Sequence, residues 1–319
     1  MASGNAGSAG WPLLILTGPT GSGKSDWAVA LAEAAPVEII SVDSAQVYRG
    51  LDIGTAKPER SLRERIPHHL VDICDPAERY SAGRFVTDAL VQMRAVRARG
   101  RVPLLVGGTM LYLRALSHGL APLPQASAEV RAQLDARASR EGWPALHAEL
   151  ARIDPQAATR IQPADSQRIQ RALEVAYTAG QPISHLQRAT VSPLSGWAVR
   201  CWMLGPADRP ALHQRLESRF TAMMAAGFLD EVRQLRDRGD LTPELPAMRA
   251  VGYRQLWSHL SGELSLAQAR ERAVSATRQL AKRQLTWMRS ERAGTWVDPQ
   301  GGPVSWIKDI RSQLGALGL

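Results

Sequence analysis

GPTGSGKS, Gly18 to Ser25, fits the spacing G-x-x-x-x-G-K-[ST], and the segments on either side of it decide the fold. The run before it, WPLLIL from Trp11 to Leu16, is short, continuous and apolar, and the stretch after it, Lys24 to Glu33, is amphipathic. That order reads as strand, loop, helix. Glycines in the loop let backbone amides turn inward around an anion, and the helix beginning near Lys24 adds the positive end of its dipole. Lys24 brings a full charge and the Ser25 hydroxyl can hold Mg²⁺. Gly18, Pro19, Thr20, Gly21, Ser22, Gly23, Lys24 and Ser25 are therefore expected to cradle a di- or triphosphate.

Working outward, VEIISVD (Val37 to Asp43) is rich in β-branched residues. It is followed by HLVDICD near 69 to 75, a helical stretch from Ser81 to Arg99, and VPLLVGG (Val102 to Gly108). Apolar runs alternating with helices predict a parallel sheet buried on both faces. The expected class is α/β, a P-loop NTPase-like parallel sheet flanked by helices. After Leu116 the pattern changes: GLAPLPQAS reads as a linker, and Ala128 to Ala179 as helices without a strand. This predicts a core domain over 10–121, an all-helical insertion domain over 122–197 and a second core part over 198–319. In that last part Val199 to Pro206 is strand-like, and helices are expected over Leu212 to Met224, Asp230 to Arg238 and Leu266 to Arg292. A short strand, Thr295 to Asp298, and a last helix from about Ser305 close the chain. No internal repeat is visible.

The chain has 319 residues, 39 Lys and Arg against 30 Asp and Glu, and a formal charge of +9. Such a balance raises the expectation of a polyanionic partner. Cys74 and Cys201 are far apart and in no metal-ligand spacing, so neither a disulfide framework nor a zinc site is expected. MASGNAGSAG lacks the regions of a signal peptide and no run approaches a membrane span, so a cytoplasmic protein away from membranes is the expectation, with a monomer as the default.

The loop alone does not say whose phosphates it holds. A motor ATPase would end another buried strand in Asp followed by a catalytic Glu, yet VPLLVGGT ends in Gly107, Gly108 and Thr109. Asp43, closing VEIISVD, is the acid placed to look across the strand ends, as a Mg²⁺ partner through water or as a general base. Group transfer therefore fits better than switching. A small-molecule kinase using ATP would use the same cradle, and so would a nucleotide-gated RNA-binding protein without chemistry.

GPTGSGKS, SVDSAQVYRGLDIGTAKP (Ser41 to Pro58), LLVGGTMLYLRAL (Leu104 to Leu116), RAVGYRQLW (Arg249 to Trp257) and QLAKRQLTWMR (Gln279 to Arg289) together resemble successive blocks of the bacterial tRNA dimethylallyltransferases, the tRNA isopentenyltransferase family. The resemblance spans about residues 12 to 298. It implies transfer of a dimethylallyl group from its diphosphate to N6 of adenosine 37, beside the anticodon, in tRNAs reading codons that begin with U. The cradle then holds dimethylallyl diphosphate, with Mg²⁺ on Ser25 and Arg219 as a further diphosphate ligand. The adenine amine is a weak nucleophile, and Asp43 matches the base that takes its proton. Ser44, Ala45 and Gln46 match the segment touching the extruded adenosine, and Thr109 matches a threonine lining the reaction channel.

An enzyme that extracts a stacked base must also hold the surrounding anticodon stem-loop. In the last long helix Arg278, Lys282, Arg289 and Arg292 share an arc of roughly 80° at about 100° per residue, with Leu280 and Trp287 opposite, on the face expected to pack. By resemblance, Lys282, Arg283, Gln284, Leu285, Thr286, Trp287, Met288 and Arg289 form a tRNA-contacting segment. Gln167, Arg168, Ile169, Gln170 and Arg171 form another, joined by Arg131 and by Arg249, Gly252, Tyr253 and Arg254. His68 and His69 are adjacent, poor spacing for joint metal ligation, and are read as surface or supporting residues. The nine tryptophans are scattered and are read as packing.

Overall fold

The computed structural model describes residues 10–121, 123–124, 127–187, 190–205, 208–291 and 294–319. The chain divides into two compact units, residues up to Arg114 with Leu194–Leu319, and Ala115–Pro193.

The first unit begins β1 (Trp11–Thr17), α1 (Lys24–Ala34), β2 (Val37–Val42), α2 (Arg60–Arg65), β3 (His68–His69), α3 (Ala82–Ala98), β4 (Val102–Gly107) and α4 (Met110–His118). Next come α5 (Ala128–Glu141), α6 (Trp143–Ile153), α7 (Pro155–Ala158), α8 (Ser166–Ala179) and α9 (Ile183–Leu186), all helical. The chain then resumes with β5 (Trp197–Leu204), α10 (Arg209–Ala225), α11 (Phe228–Asp237), α12 (Tyr253–Leu260), α13 (Leu266–Ser290), β6 (Thr295–Val297) and α14 (Val304–Gly315).

All six strands run parallel in the order β3-β2-β4-β1-β5-β6, a P-loop NTPase-like sheet. Every residue of β2 and β4 is buried, as continuous apolar runs require when helices cover both faces. On one face Leu14, Leu16, Ile39, Leu104 and Val106 meet Leu31 of α1 and Ile310 of α14, and Trp27 and Trp306 pack with ring centroids 5.4 Å apart. Each such side chain removed from water contributes about 1.5–3 kcal/mol, which fixes the sheet as the platform for whatever its loops carry.

Register decides what those loops meet. Gly107, the last residue of β4, is paired with Thr17 of β1 and with Val42 of β2, so the three strands end level. The segments starting at Gly18, Asp43 and Gly108 thus leave from one place, the crevice at the carboxyl ends where open α/β sheets bind ligands. Gly107 permits this closeness, because a Cβ there would lie 2.1 Å from the Val42 carbonyl oxygen.

The expected strand at 69–75 is only partly present. His68 and His69 pair with Ile39 and Ile40, after which the backbone turns through positive φ at Leu70 (61°) and Asp72 (58°). Beyond it the segment hydrogen-bonds to residues 46–49 but, among the described residues, forms only an isolated bridge, Cys74 to Tyr48. The turn is held by charge: buried Lys57 donates to Tyr48 O (2.8 Å), Asp52 (2.6 Å) and Asp72, and Arg63 reaches the other Asp72 oxygen at 2.8 Å. The histidines sit half-buried at the sheet edge, His69 Nε2 2.7 Å from Glu38. Cys74 is buried, and Cys201 is free and half-buried. β5 starts at Trp197 rather than Val199, and α13 ends at Ser290. Pro206 and Arg292 lie outside the described residues, as do the start of the chain to Ala9 and Pro122, Gln125 and Ala126 of the expected linker.

The helical unit has its own core of Leu134, Leu146, Leu150, Ile169 and Leu173. Three of its helices, α5, α7 and α8, start at side-chain caps: Ser127 accepts from Val130 N, Asp154 from Ala157 N and Asp165 from Arg168 N. Each cap supplies an acceptor to an otherwise unpaired amide, worth about 1 kcal/mol. The unit runs over 115–193, where the sequence suggests 122–197. Among the described residues no helix is long and apolar enough to cross a membrane.

Candidate active site

The phosphate loop spends part of its hydrogen bonding on itself. Ser22 N donates to Pro19 O at 3.1 Å and Thr20 N donates to Oε1 of Gln284 at 2.9 Å. Gly21 (φ 78°) and Gly23 (φ 85°) take left-handed backbone conformations that cost glycine little. Among the described residues their amides have no protein partner, and together with the first turn of α1 they form the anion-facing set.

Above the loop lies a cavity of about 490 Å³, within the range of small-ligand sites. Thr20, Lys24 and Ser25 line it on one side, with Asp43 and Thr109 from the ends of β2 and β4 and Arg219 from α10. Lys24 Nζ reaches only Pro19 O, at 3.3 Å, and no carboxylate lies within ion-pair distance of Lys24 or Arg219 among the described residues. Burial lowers the Lys24 pKa from 10.5 to about 8, with nearby Asp43 pulling it back up and Arg219 pushing it further down. Burial also pulls the Arg219 guanidinium below its ordinary value, opposed by Asp43 and Asp26. Two half-buried cations against one carboxylate leave the cavity with a net positive charge that suits an anion.

Asp43 is held by its own loop. One oxygen, Oδ1, accepts both Ala45 N (2.8 Å) and Gln46 N (3.1 Å), which fixes the carboxylate and leaves Oδ2 for the cavity. Thr109 Oγ1 accepts Ser44 N at 3.1 Å, tying the end of β4 to the loop after β2. The Gln46 side chain is occupied within the loop: Nε2 donates to the carbonyls of Thr55 (3.2 Å) and Ala56 (3.3 Å), and Oε1 accepts from Ser41 at 3.2 Å. Leu216, Phe220, Met223 and Phe228 give the cavity an apolar wall.

The segments expected to contact RNA divide into outward and inward residues. Lys282, Arg283, Thr286 and Arg289 are exposed on α13, whereas Gln284, Leu285 and Met288 are buried. The packing face of α13 runs through Ala273, Ala281, Leu285 and Met288. Leu280 and Trp287, expected on that face, instead line the cavity beside Arg283, and Arg114 lies over the Trp287 ring at 5.6 Å. Arg278 is paired with Glu217 at 2.8 Å. Arg249 also lines the cavity and Arg254 is exposed. Gly252 and Tyr253 are buried, the tyrosine hydroxyl donating to Glu231 at 2.5 Å.

In the helical unit Gln167 and Arg168 are exposed, Ile169 is in the core, and Gln170 donates to Asp135 at 2.6 Å. Arg131 and Arg171 both bind the fully buried Glu174, at 3.2 and 2.9 Å.

Sequence reasoning missed Glu231 of α11. Its carboxylate accepts three successive amides, Asp52 (3.0 Å), Ile53 (2.7 Å) and Gly54 (3.2 Å), and so anchors the loop that begins at Asp43. These amides lie 177 to 179 residues away, so no local pattern points to it. The buried brace made by Gln284 was missed for the same reason.

Comparison with known proteins agrees with this geometry. A family model described as IPP transferase matches residues 46–291, and one described as isopentenyl transferase matches residues 12–66. The chain is 56% identical over 298 residues to the tRNA dimethylallyltransferase of Bordetella petrii, covering 92% of this chain and 94% of that relative. Among solved structures, the full-length tRNA isopentenylpyrophosphate transferase of Bacillus halodurans is similar at TM-score 0.69 and 35% identity, covering 96% of this chain and 97% of that one. A eukaryotic dimethylallyltransferase described as acting on tRNA gives TM-score 0.75 at 28% identity over 90% of this chain and 74% of that one. With the phosphate loop, the level strand ends and these likenesses in agreement over most of its length, the chain belongs to the tRNA dimethylallyltransferase family.

Proposed function

We propose that this chain transfers the dimethylallyl group of dimethylallyl diphosphate to N6 of adenosine 37 in tRNAs that read codons beginning with U, releasing diphosphate. The observation that carries the reading is the composition of one cavity: unpaired Lys24 and Arg219, a fixed Asp43 carboxylate, and an apolar wall of Leu216, Phe220, Met223 and Phe228. An isoprenoid diphosphate has this division, a dianionic or trianionic head and a five-carbon apolar tail.

N6 of the adenine attacks the allylic carbon, and the carbon–oxygen bond to the diphosphate breaks with its electron pair passing to oxygen. The charge that develops there meets the amides of Gly21 and Gly23, the first turn of α1, Lys24 and Arg219, an electrostatic stabilisation that grows as the bond breaks. Asp43 takes the N6 proton through the oxygen its loop leaves free. Thr109, bonded to Ser44, holds the segment over which the extruded adenosine would lie.

The residues fit a Mg²⁺ ion. Ser25 is an exposed hydroxyl in the same cavity as Asp43. A hydroxyl with substrate oxygens and water is how Mg²⁺ is ordinarily held. Ser25 would be its protein ligand, and the ion would supply Lewis-acid neutralisation of the leaving diphosphate. Exposed Lys282, Arg283 and Arg289 on α13 and Arg168 in the helical unit are the phosphate-contacting candidates for the anticodon stem-loop.

Mass spectrometry of tRNA nucleosides after incubation with dimethylallyl diphosphate, Mg²⁺ and no ATP tests the reading. Dimethylallyladenosine at position 37 is the expected product. Transfer of the terminal phosphoryl of ATP to a small acceptor, with no isoprenoid carbon on RNA, would replace it with a kinase.

A further inference from the structure

We infer that Gln284, on the helix whose outer face carries Lys282, Arg283 and Arg289, is a positioning residue for the diphosphate loop and not an RNA contact. The inference rests on the proposed diphosphate site. Gln284 is buried, and its side-chain amide bridges two backbones. Oε1 accepts Thr20 N at 2.9 Å, across 264 residues, and Nε2 donates to Gly108 O at 2.8 Å, across 176 residues. Both groups belong to the cavity's phosphate side.

The fit is tight. A Cβ on Gly108 would come within 2.4 Å of the Gln284 amide nitrogen and 3.0 Å of Gly18 O, so the glycine turn, the loop and the side chain occupy one close-packed layer. The bridge removes the Thr20 amide from the anion-facing set and sets the direction of the following Gly21 amide. With Thr20 and Ser22 both bonded within the protein, the loop is held open and shaped before any anion arrives. A preformed cradle lowers the ordering cost of binding and of stabilising charge in the transition state.

The test compares Gln284→Met, which keeps length and apolar volume but makes neither bond, and Gln284→Glu, which can accept from Thr20 but not donate to Gly108. KM for dimethylallyl diphosphate, the inhibition constant of inorganic diphosphate, kcat and tRNA Kd are measured, with a melting curve for each variant. The expected result for Gln284→Met is a rise of about tenfold in both diphosphate constants with tRNA Kd changed less than twofold. Gln284→Glu should do at least as badly, since its charge faces an anion.

A weakened tRNA Kd with unchanged diphosphate constants would make Gln284 an RNA contact and overturn the inference. Unchanged constants throughout would overturn it too. So would loss of the folded state in both variants, because the bridge would then hold the core and not the loop. If the unaltered protein binds neither dimethylallyl diphosphate nor inorganic diphosphate, it is the underlying site reading that fails, and the two failures are told apart.

Discussion

Lys24 and Arg219 of the sheet unit meet no carboxylate at bonding distance among the described residues, whereas Arg131 and Arg171 of the helical unit converge on one buried carboxylate, Glu174. All four are basic residues to which the sequence assigns an anion. The first pair has no carboxylate partner among the described residues, and desolvation pulls the Lys24 pKa down to about 8. The second pair is already neutralised in part, and its geometry is set by the protein. An unpaired, half-buried cation marks a candidate site, while a cation shared with a buried acid marks a scaffold that can present its remaining N–H groups.

The largest effect that can sharpen this contrast lies with Asp43, the acid that shares a cavity with the two unpaired cations. Asp43→Ala should lower kcat by about 10²–10⁴-fold while tRNA Kd stays within threefold, read from single-turnover transfer and filter binding. An unchanged rate would remove Asp43 as the base. On the other side, Glu174→Ala should destabilise the fold by about 1–3 kcal/mol in urea unfolding, moderated because both arginines can turn toward water. Full stability with lost activity would turn the scaffold into a reaction site.

The pH dependence of Lys24 comes next. In the free protein the ammonium is present below about pH 8 and lost above it, so diphosphate affinity should be full below pH 8 and fall by about tenfold per unit above it. Calorimetry in buffers of different ionisation enthalpy should show proton uptake on binding that grows from pH 7 to pH 9, and Lys24→Arg should flatten both curves. Stability moves the opposite way. The unfolded lysine stays protonated to 10.5, so the native state gains as pH rises from 8 toward 10.5.

The smallest effects lie on α13. Lys282→Ala should weaken tRNA binding several-fold and reduce the log–log salt slope by roughly 0.7–0.9, the value of one phosphate contact. Arg278→Ala, whose partner is Glu217, should leave the slope unchanged and stability within about 1 kcal/mol. Equal slopes for the two variants would erase the distinction between paired and unpaired cations on that helix.

Legibility followed distance along the chain. The strand before the phosphate loop, the helix after it and the helix following Ser81 depend on neighbours within a few residues, and the residue order states them. The helical content of 128–179 reads equally well from its periodicity. HLVDICD misleads because its composition suits a strand while Lys57 and Arg63, outside it, bind Asp72 and turn the backbone. Leu280 and Trp287 mislead in a similar way: helical angles give which residues share a face, not whether that face meets a core or a cavity.

From the sequence alone came the phosphate loop, the parallel sheet, the helical insertion and Asp43 at a strand end, because each is written in spacings of a few residues. Tertiary structure alone decided that Thr17, Val42 and Gly107 end level, that Gln284 and Glu231 brace loops far from them in the chain, and which arginines remain unpaired. Those outcomes depend on which backbone and side-chain groups are brought within about 3 Å by burial of the core, and the energy of that burial is non-directional and leaves no local mark in the residue order.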